Sequence, residues 1–122
     1  MAISGDWQGC ALQEKSTHLD GQTLTIDMNL SATRKAIKGS LTFHWDSANP
    51  ANIQAVKLNL SGGFIQDSYV MLDYRGTKIN VIRYGIILLE FMPTSREMVG
   101  RFLGFGPESR SIIHGTFQVK KD

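Results

Sequence analysis

Hydrophobic and polar residues alternate one by one along most of this chain, and short polar stretches separate the runs. A period of two sends successive side chains to opposite faces of a β-strand. Residues 22–31 show it without a fault. Leu24, Ile26, Met28 and Leu30 fall on one face, with Thr23, Thr25, Asp27, Asn29 and Ser31 on the other. The same reading predicts strands over 5–13, 36–45, 53–64, 68–74, 98–105 and 111–119. Turn-forming residues punctuate them: Asp20-Gly21, Thr33-Arg34-Lys35, the 46–52 loop DSANPAN, Gln66-Asp67, Arg75-Gly76-Thr77-Lys78, Thr94-Ser95-Arg96-Glu97 and the 106–110 loop GPESR. No stretch carries a helical period of useful length.

The longest apolar run, residues 79–91 (INVIRYGIILLEF), is predicted as one strand with neither face polar. Ile79, Val81, Arg83, Gly85, Ile87, Leu89 and Phe91 share one face. Asn80, Ile82, Tyr84, Ile86, Leu88 and Glu90 share the other. A strand apolar on both sides is covered on both sides, so one face is expected to line a barrel interior and the other to meet a partner. Ile82, Ile86 and Leu88 form that outward stripe, and a homodimer through them is the expectation.

About eight strands at regular spacing predict an all-β fold, a single antiparallel up-and-down β-barrel domain over residues 1–122. Glycines recur on inward faces, as in Ile37-Lys38-Gly39-Ser40-Leu41, Met98-Val99-Gly100-Arg101-Phe102 and Ile113-His114-Gly115-Thr116-Phe117, where a small barrel must coil tightly. Gly62-Gly63 predicts a bulge or sharp bend. Trp7 followed by Gly9 and Ala11 on one face suits the closed end of such a barrel.

Composition narrows the function classes. With 13 basic and 11 acidic residues in 122, the chain lacks the basic stripe of a general nucleic-acid binder, so any anion site is local. A single cysteine, Cys10, forms no intramolecular disulfide and fits a reducing cytoplasm, and it reads as a buried structural thiol. MAISGDW has neither the charged nor the apolar region of a signal peptide, and no run reaches the length of a transmembrane helix. Lys120, Lys121 and Asp122 read as a solvated tail.

Catalytic chemistry finds no support. His18, His44 and His114 read as solvated and have no metal-ligand spacing, and no nucleophile motif is present, so neither catalysis nor a cofactor is assigned. The sequons at Asn29 and Asn59 fall within strands and read as chance. Arg83 is the informative residue. A guanidinium on an apolar inward face keeps its charge and needs an anion, either a ligand's or an internal carboxylate such as Asp73 or Glu90. Tyr74, Trp7 and Trp45, inward by the same alternation, offer flat surfaces for stacking. Arg75, Lys78 and Arg110 are turn residues placed to guard a mouth.

Two resemblances follow from these residues. Gly5-Asp6-Trp7-Gln8-Gly9 at the start of an up-and-down barrel looks like the calycins, the lipocalin-like and nitrobindin-like proteins, which implies a carrier of a small apolar ligand or haem. Most of the chain resembles more closely the β-barrel sensor domain of the SMODS-associated transmembrane β-barrel effectors of bacterial CBASS antiviral systems. The features are the same early Gly5 to Gly9 motif, Tyr69 to Tyr74 followed by the Gly85-containing strand, Val99-Gly100-Arg101-Phe102, and Gly115-Thr116-Phe117-Gln118-Val119-Lys120. That resemblance implies a barrel that binds a cyclic dinucleotide made by a cGAS-like enzyme and assembles on binding it. The family's transmembrane helices have no counterpart here, which implies an isolated sensor domain, a sensor whose anchor has been removed, or a soluble relative that sequesters the signal.

Overall fold

A computed structural model describes residues 3–14, 22–45, 55–78, 80–106 and 110–121. The expected turn at Asp20-Gly21, the 46–52 loop, His18, Ile79, Pro107 and Asp122 lie outside the described residues. Eight strands follow one another: β1 (Gly5–Gln13), β2 (Gln22–Ala32), β3 (Ile37–Trp45), β4 (Val56–Gln66), β5 (Tyr69–Gly76), β6 (Tyr84–Met92), β7 (Glu97–Gly106) and β8 (Ser111–Lys121). Each pairs antiparallel with the next, and β8 pairs with β1, so the sheet closes into a barrel with no free edge.

The alternation in the sequence is the alternation in the fold. Leu24, Ile26, Met28 and Leu30 are buried on β2, Leu41 and Phe43 on β3, Leu58 and Leu60 on β4, and Val70, Leu72 and Tyr74 on β5. On β6 the inward residues are Gly85, Ile87 and Leu89, the face assigned from the pattern. The barrel is plugged at the end where β1 begins. Trp7 is fully buried there, its indole Nε1 donates to the Ile3 carbonyl at 2.9 Å, and its ring meets Phe91 edge-on with centroids 6.0 Å apart. Ile3, Leu30, Ile37, Met98 and Val119 fill the space around it.

Four expectations need correction. The strand expected over 79–91 starts only at Tyr84. The chain turns just before it, with Val81 N–H donating to the Lys78 carbonyl at 3.4 Å, so the apolar Val81 and Ile82 belong to the β5–β6 connection. The bulge expected at Gly62-Gly63 falls instead between Phe64 and Gln66, where the register against β5 shifts. Lys120 and Lys121 are not a solvated tail. They extend β8 opposite Gln8 and Trp7, because β1 needs a partner along its whole length for the barrel to close, and Lys121 Nζ donates to the Ser4 carbonyl at 2.5 Å. Cys10 is exposed, since it shares the outward face of β1 with Gln8 and Leu12.

Candidate functional site

The end opposite Trp7 holds a cavity. It is lined by inward residues from the upper halves of the strands, among them Ala11, Leu24, Leu41, Phe43, Ile87 and Phe117. Among the described residues its only charged wall residue is Arg83, and Tyr74 supplies its only hydroxyl. The cavity volume is about 50 Å³, and about 470 Å³ of unfilled space if the solvent-open mouth is counted. An apolar cavity of ~150 Å³ takes benzene. The deep part is therefore too small for a nucleobase, and anything larger lies across the mouth.

Arg83 faces inward although it precedes β6. Gly76 N–H donates to the Arg83 carbonyl at 3.0 Å, which prolongs the β5–β6 ladder by one rung and carries the strand alternation back to Arg83. The connection is also tied to β4, where Thr77 Oγ1 donates to the Lys57 carbonyl at 3.3 Å. The Arg83 guanidinium carbon sits 5.6 Å from the centroid of the Phe43 ring, a cation–π contact, and the residue is half-buried. The carboxylates considered as internal partners, Asp73 and Glu90, alternate with inward neighbours and lie on the outward faces of β5 and β6.

Tyr74 lies across two glycines. A Cβ on Gly85 would come within 2.5 Å of the ring, and one on Gly104 would meet the phenolic oxygen. Gly85 is the cross-strand partner of both Tyr74 and Gly104, so one rung of three strands forms the seat for this ring. Burial pushes the Tyr74 phenol up to about 12, and the Arg83 charge pulls it the other way. The phenol stays protonated, a donor within electrostatic reach of Arg83.

The remaining expected site residues divide by position. Trp7 is at the plugged end, remote from the mouth, so its ring serves packing and not a ligand. Trp45 ends β3 at the open end, but its side chain lies outside the described residues. Arg75, Lys78 and Arg110 are all exposed at the open end. Arg75 points outward, its guanidinium 5.2 Å from the Tyr84 ring centroid on the outer face, while Arg110 occupies a left-handed turn (φ 52°) before β8. The structure thus brings together Arg83 and Tyr74, adds Phe43, and sets the other cations around the rim. Gln13 was missed. It continues the inward row of Ala11 on β1, so the alternation itself could have found it.

A second titratable cluster lies on the outer wall. Arg101 Nη2 donates to Glu14 Oε1 at 2.5 Å and His114 Nδ1 is 3.2 Å from Glu14 Oε2. The hydrogen bond from Arg101 holds the exposed Glu14 carboxyl below its usual range. Among the described residues no group of three or more His, Cys, Asp or Glu is placed to hold a metal ion, and no helix is long and apolar enough to cross a membrane. No family model, curated protein or solved structure matches the chain.

Proposed function

We propose that the barrel binds a small anionic ligand across its open end, and that this ligand is a cyclic nucleotide. The observation that carries the reading is Arg83 held over Phe43 beside Tyr74, a guanidinium and two aromatic rings at one opening. A guanidinium pairs with phosphate and a ring face with a base. Arg75, Lys78 and Arg110 around the same rim suit a ligand with more than one negative charge. The small deep cavity suits a nucleotide that lies across the mouth, with its phosphate at Arg83. The resemblance to SMODS-associated sensor barrels adds the setting: a bacterial anti-phage signal in the cytoplasm, with binding coupled to self-association.

A second reading has its own observation. Apart from Arg83 and Tyr74 the cavity wall is apolar, which suits a carrier of a small amphipathic molecule with its acid group at Arg83. Haem fits poorly, because among the described residues the wall offers no His, Cys or Met as an axial ligand, and burial keeps the Tyr74 phenol protonated.

Thermal unfolding against cyclic AMP, cyclic GMP, cyclic di-AMP, cyclic di-GMP and oleate separates the readings. A ligand at one hundred times its dissociation constant stabilises the fold by about 2.7 kcal/mol. The expected result is an upward shift with a cyclic nucleotide that is absent in Arg83→Met and weakens as salt is raised. A shift with oleate alone selects the carrier. A nucleotide shift that survives Arg83→Met removes the proposed site.

A further inference from the structure

The inward row of β1 ends on Gln13. It is 4% exposed, the one buried polar or charged residue among those described, and its Nε2 has no hydrogen-bond partner there. Leaving a buried amide donor unpaired is a standing cost to the fold. Such a cost is expected where function retains the group. Gln13 pairs with Gln22 on β2 and Gly115 on β8, and the nearest inward residues on the three strands, Ala11, Leu24 and Ile113, all line the cavity. Gln13 does not itself line the cavity; it is the next inward position beyond that lining, at the open end of β1. In the closed ring β1 is four strands from β5 and three from β6, so Gln13 stands on the opposite side of the barrel from Tyr74 and Arg83.

We infer that the Gln13 amide is a ligand-binding group. It donates to a hydrogen-bond acceptor on the side of the ligand remote from the anion held at Arg83. This rests on the open end being the binding mouth and narrows the ligand's chemistry. The ligand carries an anionic group at one side and a carbonyl oxygen, ring nitrogen or phosphoryl oxygen at the other. Nucleobases and second phosphates provide such acceptors. An alkyl chain provides none and would leave the amide as unpaired as it is in the empty barrel.

The test compares wild type, Gln13→Met, Gln13→Leu and Arg83→Met, each without ligand and with the four cyclic nucleotides and oleate. Methionine keeps the length of glutamine, and leucine guards against a packing effect peculiar to one shape. Without ligand, Gln13→Met is expected to unfold about 4 °C or more above wild type, because it removes an unpaired buried donor. With the nucleotide that stabilises wild type, its dissociation constant is expected to weaken about tenfold or more. Gln13 variants that are less stable than wild type without ligand would mean that the amide is bonded within the fold, and would overturn the inference. An unchanged nucleotide affinity in Gln13→Met, with binding lost in Arg83→Met, would overturn it while leaving the mouth as the site. No stabilisation of wild type by any nucleotide would overturn both.

Discussion

At the scale of single residues, the open end sets the Arg83 guanidinium beside the Tyr74 phenol, which stays neutral because burial opposes the phenolate. That burial has a consequence for stability. The folded pKa of Tyr74 is raised to about 12 from 10.0, so the folded state holds the proton more tightly than the unfolded chain does. Its stabilising contribution is complete below pH 10 and is lost as pH rises towards 12. Two pH units correspond to about 2–3 kcal/mol. To isolate the Tyr74 contribution, urea unfolding of wild type should be compared with Tyr74→Phe at pH 9 and pH 12. The difference in stability between them is expected to move by about that amount in favour of the variant, and a constant difference would mean that the phenol is solvated. The inward positions of Arg83 and Tyr74 were legible in the alternation, since period two needs no knowledge of neighbours. The Phe43 contact was not, because it joins the β5–β6 connection to β3, and alternation does not say which inward residues meet. Cys10 shows a further limit: it was assigned to the core although its row, with Gln8 and Leu12, points out. Trp7 points in at the plugged end, as its row with Gly9 and Ala11 suggested, and that position leaves it no stacking role at the mouth.

At the scale of elements, the rung formed by Tyr74, Gly85 and Gly104 shows how three strands build one feature of the site. The glycines let the Tyr74 ring lie against the inner wall, where a Cβ at either position would collide with it. Gly104→Ala would put a methyl group into the phenolic oxygen and near the Tyr84 carbonyl. Overpacking of this kind costs about 1–3 kcal/mol. The expected outcome is a lower urea midpoint and weaker nucleotide-induced stabilisation, because the ring is driven off its seat. Gly63→Ala is the control. A Cβ there meets only the Lys35 carbonyl, at 3.9 Å, so the midpoint should hold or rise slightly. If both variants behave alike, the seat has no special role. The strands themselves were largely legible, as was Gly85 on the inner face. The start of β6 was not, because an apolar run records burial and not direction. Val81 and Ile82 read as strand residues, yet the turn closed between Lys78 and Val81 leaves the strand to begin at Tyr84. The far end of β8 was misread for the opposite reason: Lys120 and Lys121 look solvated in sequence, and only the closing pairing with β1 makes them strand.

At the scale of the whole molecule, closure of the barrel removes every sheet edge, so no second chain can add by strand pairing. The outer wall is uneven. Tyr84, Leu88, Leu103 and Ile112 are each 45–62% exposed on the neighbouring strands β6, β7 and β8, and Ile82, at 71%, stands above them. The rungs join them, with Ile86 opposite Leu103 and Leu88 opposite Arg101. The stripe expected from Ile82, Ile86 and Leu88 is thus wider than the sequence suggested, although Ile86 is half-buried and Ile82 lies outside the strand. We propose that a second copy of the chain covers it. A standard interface takes ~800 Å² from each partner, about a tenth of the 7505 Å² surface, which three adjacent strands of eight readily supply. Arg101, bound to Glu14 with His114 beside it, adds a polar group to the face that an apolar contact alone would lack, and gives a two-fold pairing something to register against. Leu88→Glu tests this without endangering the fold, since the new carboxylate would sit cross-strand from Arg101. Sedimentation equilibrium at tens of micromolar protein, with the stabilising nucleotide present, is expected to give a dimer for wild type and a monomer for the variant, with thermal midpoints that differ by no more than the loss of association explains. If cyclic nucleotide drives the pairing, wild type should be mostly monomeric without it and dimeric or larger with it. A wild type that remains monomeric with and without nucleotide would leave the stripe to a partner of a different kind.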